Sequence, residues 1–336
     1  MKCPNCQLDS KKPDRPDGAC PQCKRAFRLD PPTLGFSDYA VDALVKKLTD
    51  NLAHKYVKRQ LVAAVERRLL AKERAAKRVY LLVSGLAALA AVVCLALGFW
   101  PLVVGLAALI IVSSAVYFSS KVDAHAEAPS VVSAFGGTAN EVAPRELQPP
   151  RRGAAREFDL ESYGFDRVIV VQGDDIAEML VANQFHFQHN AAIISIDGYP
   201  QHVATLVDQQ LRTNEATSVV MLHDASSLGY ALAADWLARR SLAPQRIVRA
   251  GLSPRQAENL GPKLEPMGLS KPRGMSPDDA VWLSKQSVTL ASLKPSQIMT
   301  LLFNAIQRRP GEALAAAPGH ESDFLVVGSD GSYDFG

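Results

Sequence analysis

Past residue 23 the sequence all but stops using cysteine. Five cysteines occur in 336 residues, four of them at positions 3, 6, 20 and 23, and only Cys94 falls later. The body of the chain therefore has no cysteine set for a disulfide framework. The opening, Met1-Lys2-Cys3-Pro4, lacks the apolar run of a secretory signal, so the early thiols are read as reduced. Charge is missing elsewhere: Val79–Ser120 runs for 42 residues without Asp, Glu, Lys or Arg. A stretch with no polar face is not an amphipathic surface helix. There is also no G-x-G-x-x-G and no P-loop, which removes the usual glycine-rich cradles for nucleotide phosphates.

The charges that are present are segregated. Residues 1–78 hold 18 Lys/Arg against 9 Asp/Glu, and residues 121–336 hold 19 against 25, for a net charge of +3 over the chain. A basic front, a neutral middle and an acidic back imply zones with different surroundings.

The four early cysteines form two C-x2-C turns, CPNC and CPQC, with thirteen residues between them. Each turn presents two thiolates to one ion, and together Cys3, Cys6, Cys20 and Cys23 complete a tetrahedral sulfur site that suits Zn²⁺. The stretch between the turns, QLDSKKPDRPDGA, is too polar to build a core, so metal would supply most of the folding energy. Four thiolates leave no open position, so the role of the Zn²⁺ is structural. The segment looks like a zinc ribbon, over residues 1–32. Its lysines and arginines fit nucleic-acid contact; a small protein-binding or capping module with a solvated basic face is the favoured reading.

Residues 33–78 read as a basic, amphipathic helical neck. Val41, Val45, Leu48, Leu52 and Tyr56 make one helical stripe, and Leu61, Val65 and Leu69 a second. The polar face carries Lys58, Arg59, Arg67, Arg68, Lys72, Arg74, Lys77 and Arg78, placed to meet anionic lipid headgroups. The uncharged zone, residues 79–120, divides at Gly98-Phe99-Trp100-Pro101 into two apolar helices of about 79–98 and 102–120. The short turn makes them an antiparallel transmembrane hairpin. Gly85, Ala87, Ala88, Gly105 and Ala107 would let the helices pack closely, and an oligomer through the hairpin follows from the same surface. Basic residues flank both ends, so the positive-inside rule predicts a two-pass protein with both termini cytoplasmic, in a membrane of bacterial inner-membrane type.

Residues 121–157, rich in Ala, Pro, Ser and Gly, read as a flexible linker. From 158 to 262 the pattern changes. Apolar strands at 168–171, 191–196, 218–222 and 246–250 alternate with helices, which predicts a parallel α/β sheet covered on both faces. A helical extension over 263–313, with Ser276 as an N-cap, and a tail over 314–336 follow. Ligands of such sheets gather beyond the carboxyl ends of the strands. Those ends carry Gln172-Gly173-Asp174-Asp175, Asp197-Gly198 and Asp224-Ala225-Ser226. His186-x2-His189, with His202 and His223, could be read as a metal cluster, but the four are read as unrelated surface or core histidines.

VIVVQGDDIAE (168–178) resembles the first motif of Toprim domains, an apolar strand ending in Glu-Gly with an acidic residue opening the next helix. DASSLG (224–229) resembles their second, Asp-x-Asp-x-x-Gly. IDGYP (196–200) and IVRAGLSP (247–254) are similar to segments of the topoisomerase VI A subunit and its meiotic relatives. The resemblance implies a Rossmann-like Toprim fold whose carboxylates hold Mg²⁺ for phosphodiester chemistry. It places Gln172 at the catalytic glutamate, Asp175 at the acidic helix position, Asp224 at the first aspartate, Ser226 at the second and Gly229 at the glycine. Gln172 and Ser226 replace two acids of that set, so no catalytic residue is expected. Gly173, Asp174, Asp197, Gly198 and Gly229 stand as ligand-binding candidates. The expected function is a membrane-anchored cytoplasmic adaptor whose α/β domain binds a protein, a nucleic acid or a nucleotide. One alternative is a membrane-tethered, Mg²⁺-dependent Toprim nuclease with a site rebuilt from Asp174, Asp175 and Asp197. A purely structural assembly protein is the other.

Overall fold

The computed structural model of the chain describes residues 1–15, 17–29, 35–119, 123–142, 164–242, 247–258, 260 and 277–307. The chain forms two compact units, Met1–Val41 with Val62–Gly136, and Asp42–Leu61 with Gly137–Gly336.

In the first unit the two cysteine knuckles repeat one geometry. Antiparallel bridges Lys2↔Asp9 and Ala19↔Ala26 close them. The residue after each second cysteine turns left-handed, Gln7 at φ 61° and Lys24 at φ 57°. Gln7 N–H then donates to Cys3 O, and Lys24 N–H to Cys20 O. The ribbon is tied to the first helix, α1 (Asp38–Leu48). The buried Asp38 carboxylate accepts the Arg28 N–H at 2.9 Å and the Leu29 N–H at 2.8 Å.

Neck and first apolar span are one continuous helix, α2 (Lys58–Ala96). Three residues, 97–99, separate it from α3 (Trp100–Ser119), and Gly98 supplies the left-handed turn at φ 77°. Both helices are long and apolar enough to cross a membrane, and almost none of either helix's most apolar stretch is buried in protein. Leu82, Leu86, Val104 and Ile111 are each about two-thirds exposed, so these helices are not buried within the chain's own core. Of the small residues expected at the packing surface, Ala87 is buried, but the two glycines make no close approach. A Cβ added at Gly85 or Gly105 would meet nothing within 4 Å. Aromatic and polar side chains also join the helices. Tyr80 stacks on Tyr117 at 5.0 Å and its hydroxyl meets Ser114 Oγ at 3.1 Å, while Ser84 and Ser113 approach to 3.5 Å.

The expected linker also differs. Residues 124–135 form a helix, α4 (Ala124–Phe135), capped by Asp123, whose side chain accepts the His125 and Ala126 N–H groups. Ala128, Val131, Val132 and Phe135 recur at helical spacing and are buried, and Arg28 donates to Phe135 O at 2.9 Å. Residues 143–157 of that linker, Ser276 and the tail 314–336 lie outside the described residues.

The second unit is a four-stranded parallel sheet in the order β2-β1-β3-β4. The strands are β1 (Arg167–Val171), β2 (Ala191–Ser195), β3 (Ser218–Leu222) and β4 (Ile247–Arg249), all at positions the apolar runs predict. Alternate residues feed two cores. Ile169, Val171, Val220 and Leu222 pack with α5 (Asp174–Ala182), α6 (Phe185–Gln188) and α11 (Pro295–Gln307). Val168, Val170, Val219 and Met221 pack with α7 (Gln201–Thr213) and α8 (Ser227–Arg240). Two short helices, α9 (Pro254–Ala257) and α10 (Pro277–Leu283), follow β4. Because β1 lies between β2 and β3, the strand order reverses at β1/β3 and opens a crevice at their carboxyl ends.

Residues 42–61, expected as part of the neck, belong to this sheet unit. Val57 enters the core. Gln60 accepts the Val57 N–H at 3.0 Å and donates to Leu293 O at 3.0 Å. These long-range partners are invisible to a helical-period reading.

Candidate functional sites

The four cysteine sulfurs all lie within 4.8 Å of one another. Cys3 and Cys23 approach to 3.6 Å, Cys6 and Cys20 to 3.5 Å. A tetrahedral ion with sulfur ligands near 2.3 Å requires sulfur–sulfur edges of about 3.8 Å, so the donor set fits such a metal. Local backbone helps the thiolates form. The Arg25 N–H and the Asn5 side chain bring Cys23 down to about 6. The Cys23 and Gln22 N–H groups lower Cys20. Cys6 goes the other way, up to about 12: the Leu8 N–H favours its thiolate, but burial and the thiols of Cys20, Cys23 and Cys3 outweigh that. Crowded thiols that resist full deprotonation are relieved by a bound dication. Among the described residues these cysteines are the one cluster of three or more Cys, His, Asp or Glu able to hold a metal. His186, His189, His202 and His223 do not form one.

The crevice at β1/β3 brings Gln172, Gly173, Asp175, Asp224, Ser226 and Gly229 together, but turns their polar atoms on one another. Gln172 Oε1 accepts the Asp224 N–H at 2.9 Å, and Gln172 N–H donates to Leu222 O. Ser226 caps α8 by accepting the Gly229 N–H at 2.9 Å. Gly229 is required by closeness: a Cβ there would sit 2.6 Å from Gln172 Oε1 and 2.7 Å from Asp224 O. Asp224 is buried, and its Oδ1 accepts the Leu290 N–H at 2.7 Å. The Ala225↔Val288 bridge fixes this segment over the crevice. Burial pushes the Asp224 carboxyl up to about 6, against the Leu290 N–H and the Arg59 guanidinium, with Asp175 adding to the rise. Asp175 pairs with Arg59 Nη1 at 3.3 Å through both carboxylate oxygens.

Arg59, one of the basic residues of the neck, reaches this crevice, 116 residues upstream of its partner Asp175. No local sequence signal marks it. Asp174 and Asp197 are exposed, Asp197 beyond β2 where Gly198 turns at φ 85°. Beside it the Tyr199 hydroxyl donates to Glu178. His223 is buried with its ring edge on Tyr230 and its Nδ1 bonded to Asp224 O; burial lowers its basicity. Asp175 and Asp224, each engaged by a protein donor and not gathered with a third acid, do not fit a hard-cation site as arranged.

Comparison with protein-family models, with curated proteins and with solved structures returned no match for this chain.

Proposed function

We propose that this chain is a membrane-anchored adaptor: a zinc ribbon, a two-pass hairpin and a Toprim-like α/β domain that binds a partner without catalysing phosphodiester chemistry. The observation that carries the reading is the internal use of the crevice side chains. Gln172 holds the Asp224 backbone, Ser226 caps α8, and Asp224 holds the Leu290 backbone. The Toprim resemblance assigns the acids that hold Mg²⁺ to these positions. Here they serve as structure, and a protein, nucleic acid or nucleotide would be held by the surrounding loops. Zn²⁺ is the ion that best suits four thiolates. Both termini lie in the cytoplasm in this reading, which the short turn between α2 and α3 and the basic residues before α2's apolar part support.

The test is a Mn²⁺ titration of the full chain in detergent, followed by calorimetry. Wild type is expected to show no Mn²⁺ uptake at the crevice, and Gln172→Glu/Ser226→Asp to gain it. The reading falls if wild type cleaves nucleic acid with Mg²⁺ or Mn²⁺ and Asp224→Ala abolishes the cleavage. That outcome supports the tethered nuclease instead.

A further inference from the structure

Away from the crevice, the second unit carries a groove of about 580 Å³ between the 53–55 loop, α5–α6 and α11. Its apolar lining is a run of rings: Phe185 packs on His189 at 4.2 Å, and His189 on Phe303 at 5.6 Å. Phe303 is 44% exposed, so the run opens to solvent. Among the described residues no carboxylate lines the groove, whereas Lys55 and His54 do; in a neighbouring hollow Lys294 is paired with Asp50 at 3.0 Å and Lys46 with Asp42 at 3.1 Å, so that hollow adds little free positive charge. Burial and Arg167 hold His189 towards its neutral form, leaving Lys55 as the fixed charge of the groove itself. One lysine beside stacked rings suits a short acidic segment with aromatic anchors better than a nucleic-acid backbone with many phosphates.

Costly backbone lies within one wall, at Gln184, and in the three residues that lead into the other, the 53–55 loop. Asp50, Asn51 and Leu52 are consecutive left-handed residues at φ 49°, 61° and 68°, and Gln184 opposite stands at φ 59°. Such strain persists only when the surroundings over-determine it, and it gathers at ligand clamps. Here Asn183 brackets the Lys55 backbone with two hydrogen bonds of 2.9 Å, and Asn140 donates to Leu52 O and His54 O.

The sequence supplies a matching segment. After Arg309 the chain has no lysine or arginine, and residues 321–335 contain Glu321, Asp323, Asp330 and Asp334 with Phe324, Tyr333 and Phe335. The helix that lines the groove, α11, ends at Gln307, just ahead of this segment. The fourteen residues from there to Glu321 can span up to roughly 45 Å, so reach is not limiting. Covalent attachment also gives this segment a high effective concentration over a free partner. We propose that the acidic, aromatic stretch 321–335 of the same chain docks in this groove, with its carboxylates near Lys55 and a ring against Phe303.

The experiment places a photo-crosslinker in the full chain, Phe303→p-benzoylphenylalanine, and maps adducts by mass spectrometry. The expected product is an intrachain adduct to 321–335. Its yield should fall severalfold in Glu321→Gln/Asp323→Asn/Asp330→Asn/Asp334→Asn, which leaves the groove untouched, and also at high salt. An adduct between two copies, to another protein or to lipid, or a yield unaffected by the four neutral substitutions, overturns the proposal.

Discussion

At Asp224 the folded protein bears a cost that pH can reveal. Its carboxyl is raised from 3.8 to about 6 by burial. Between those values the folded chain keeps a proton that the unfolded chain has lost, so unfolding releases it. Stability from this group therefore falls as pH rises from about 4 to about 6, and the full cost, on the order of 3 kcal/mol, is in place above that. Asp224→Asn keeps an oxygen for the Leu290 N–H and removes the charge. It should raise the melting midpoint at pH 7.5 and flatten the pH 4–6 slope; an unchanged slope would place the proton elsewhere. Sequence reading located Asp224 and Gln172 because continuous apolar runs end beside them. It missed their surroundings because Leu290 is 66 residues from Asp224 and Arg59 is 116 from Asp175. No local pattern encodes a contact of that separation.

At the scale of elements, what was legible follows from how much of each signal is local. Strand runs such as Val168–Val171 name themselves because both faces of the sheet are covered. Helix α4 was hidden because Pro129 and its Ala/Ser composition resemble a tether, although Val131, Val132 and Phe135 are buried. The start of α8 depends on a glycine: an added Cβ at Gly229 meets Gln172, Asp224 O and, at 3.1 Å, Ser226 Oγ. Gly229→Ala should lower stability by roughly 1–3 kcal/mol through overpacking, against the small gain that alanine brings to an open helix. Denaturant midpoints of the two chains measure this. The four-cysteine cluster is expected to depend on a bound ion in the same local way. Chelation should make the Lys11–Lys12 and Lys24–Arg25 bonds sensitive to trypsin, while the fragments of the sheet unit keep their protection. One Zn²⁺ per chain by elemental analysis, lost in Cys6→Ser, is the companion result. Trypsin resistance unchanged after complete metal removal would show that the ribbon folds without it.

For the whole molecule, the eight basic residues from Lys58 to Arg78 divide by use, and the division changes the expected lipid contact. Arg59 pairs with Asp175. Arg68 and Lys72 lie over the Phe36 ring at 5.5 and 5.2 Å, and burial lowers the basicity of Lys72. Lys77 and Arg78 are exposed at the last turn before the uncharged run. If the hairpin spans a bilayer, these two sit at headgroup depth, where each positive charge gains about 1 kcal/mol from an anionic surface. Lys77→Gln/Arg78→Gln should therefore reduce retention of phosphatidylglycerol by the detergent-purified chain, whereas Arg59→Gln should leave it unchanged and loosen the crevice instead. Native mass spectrometry counts the bound lipid, and hydrogen exchange at Asp175–Ile176 reports the crevice. Equal lipid loss in both variants would mean that the whole basic face meets the membrane and that the Arg59–Asp175 pair is incidental.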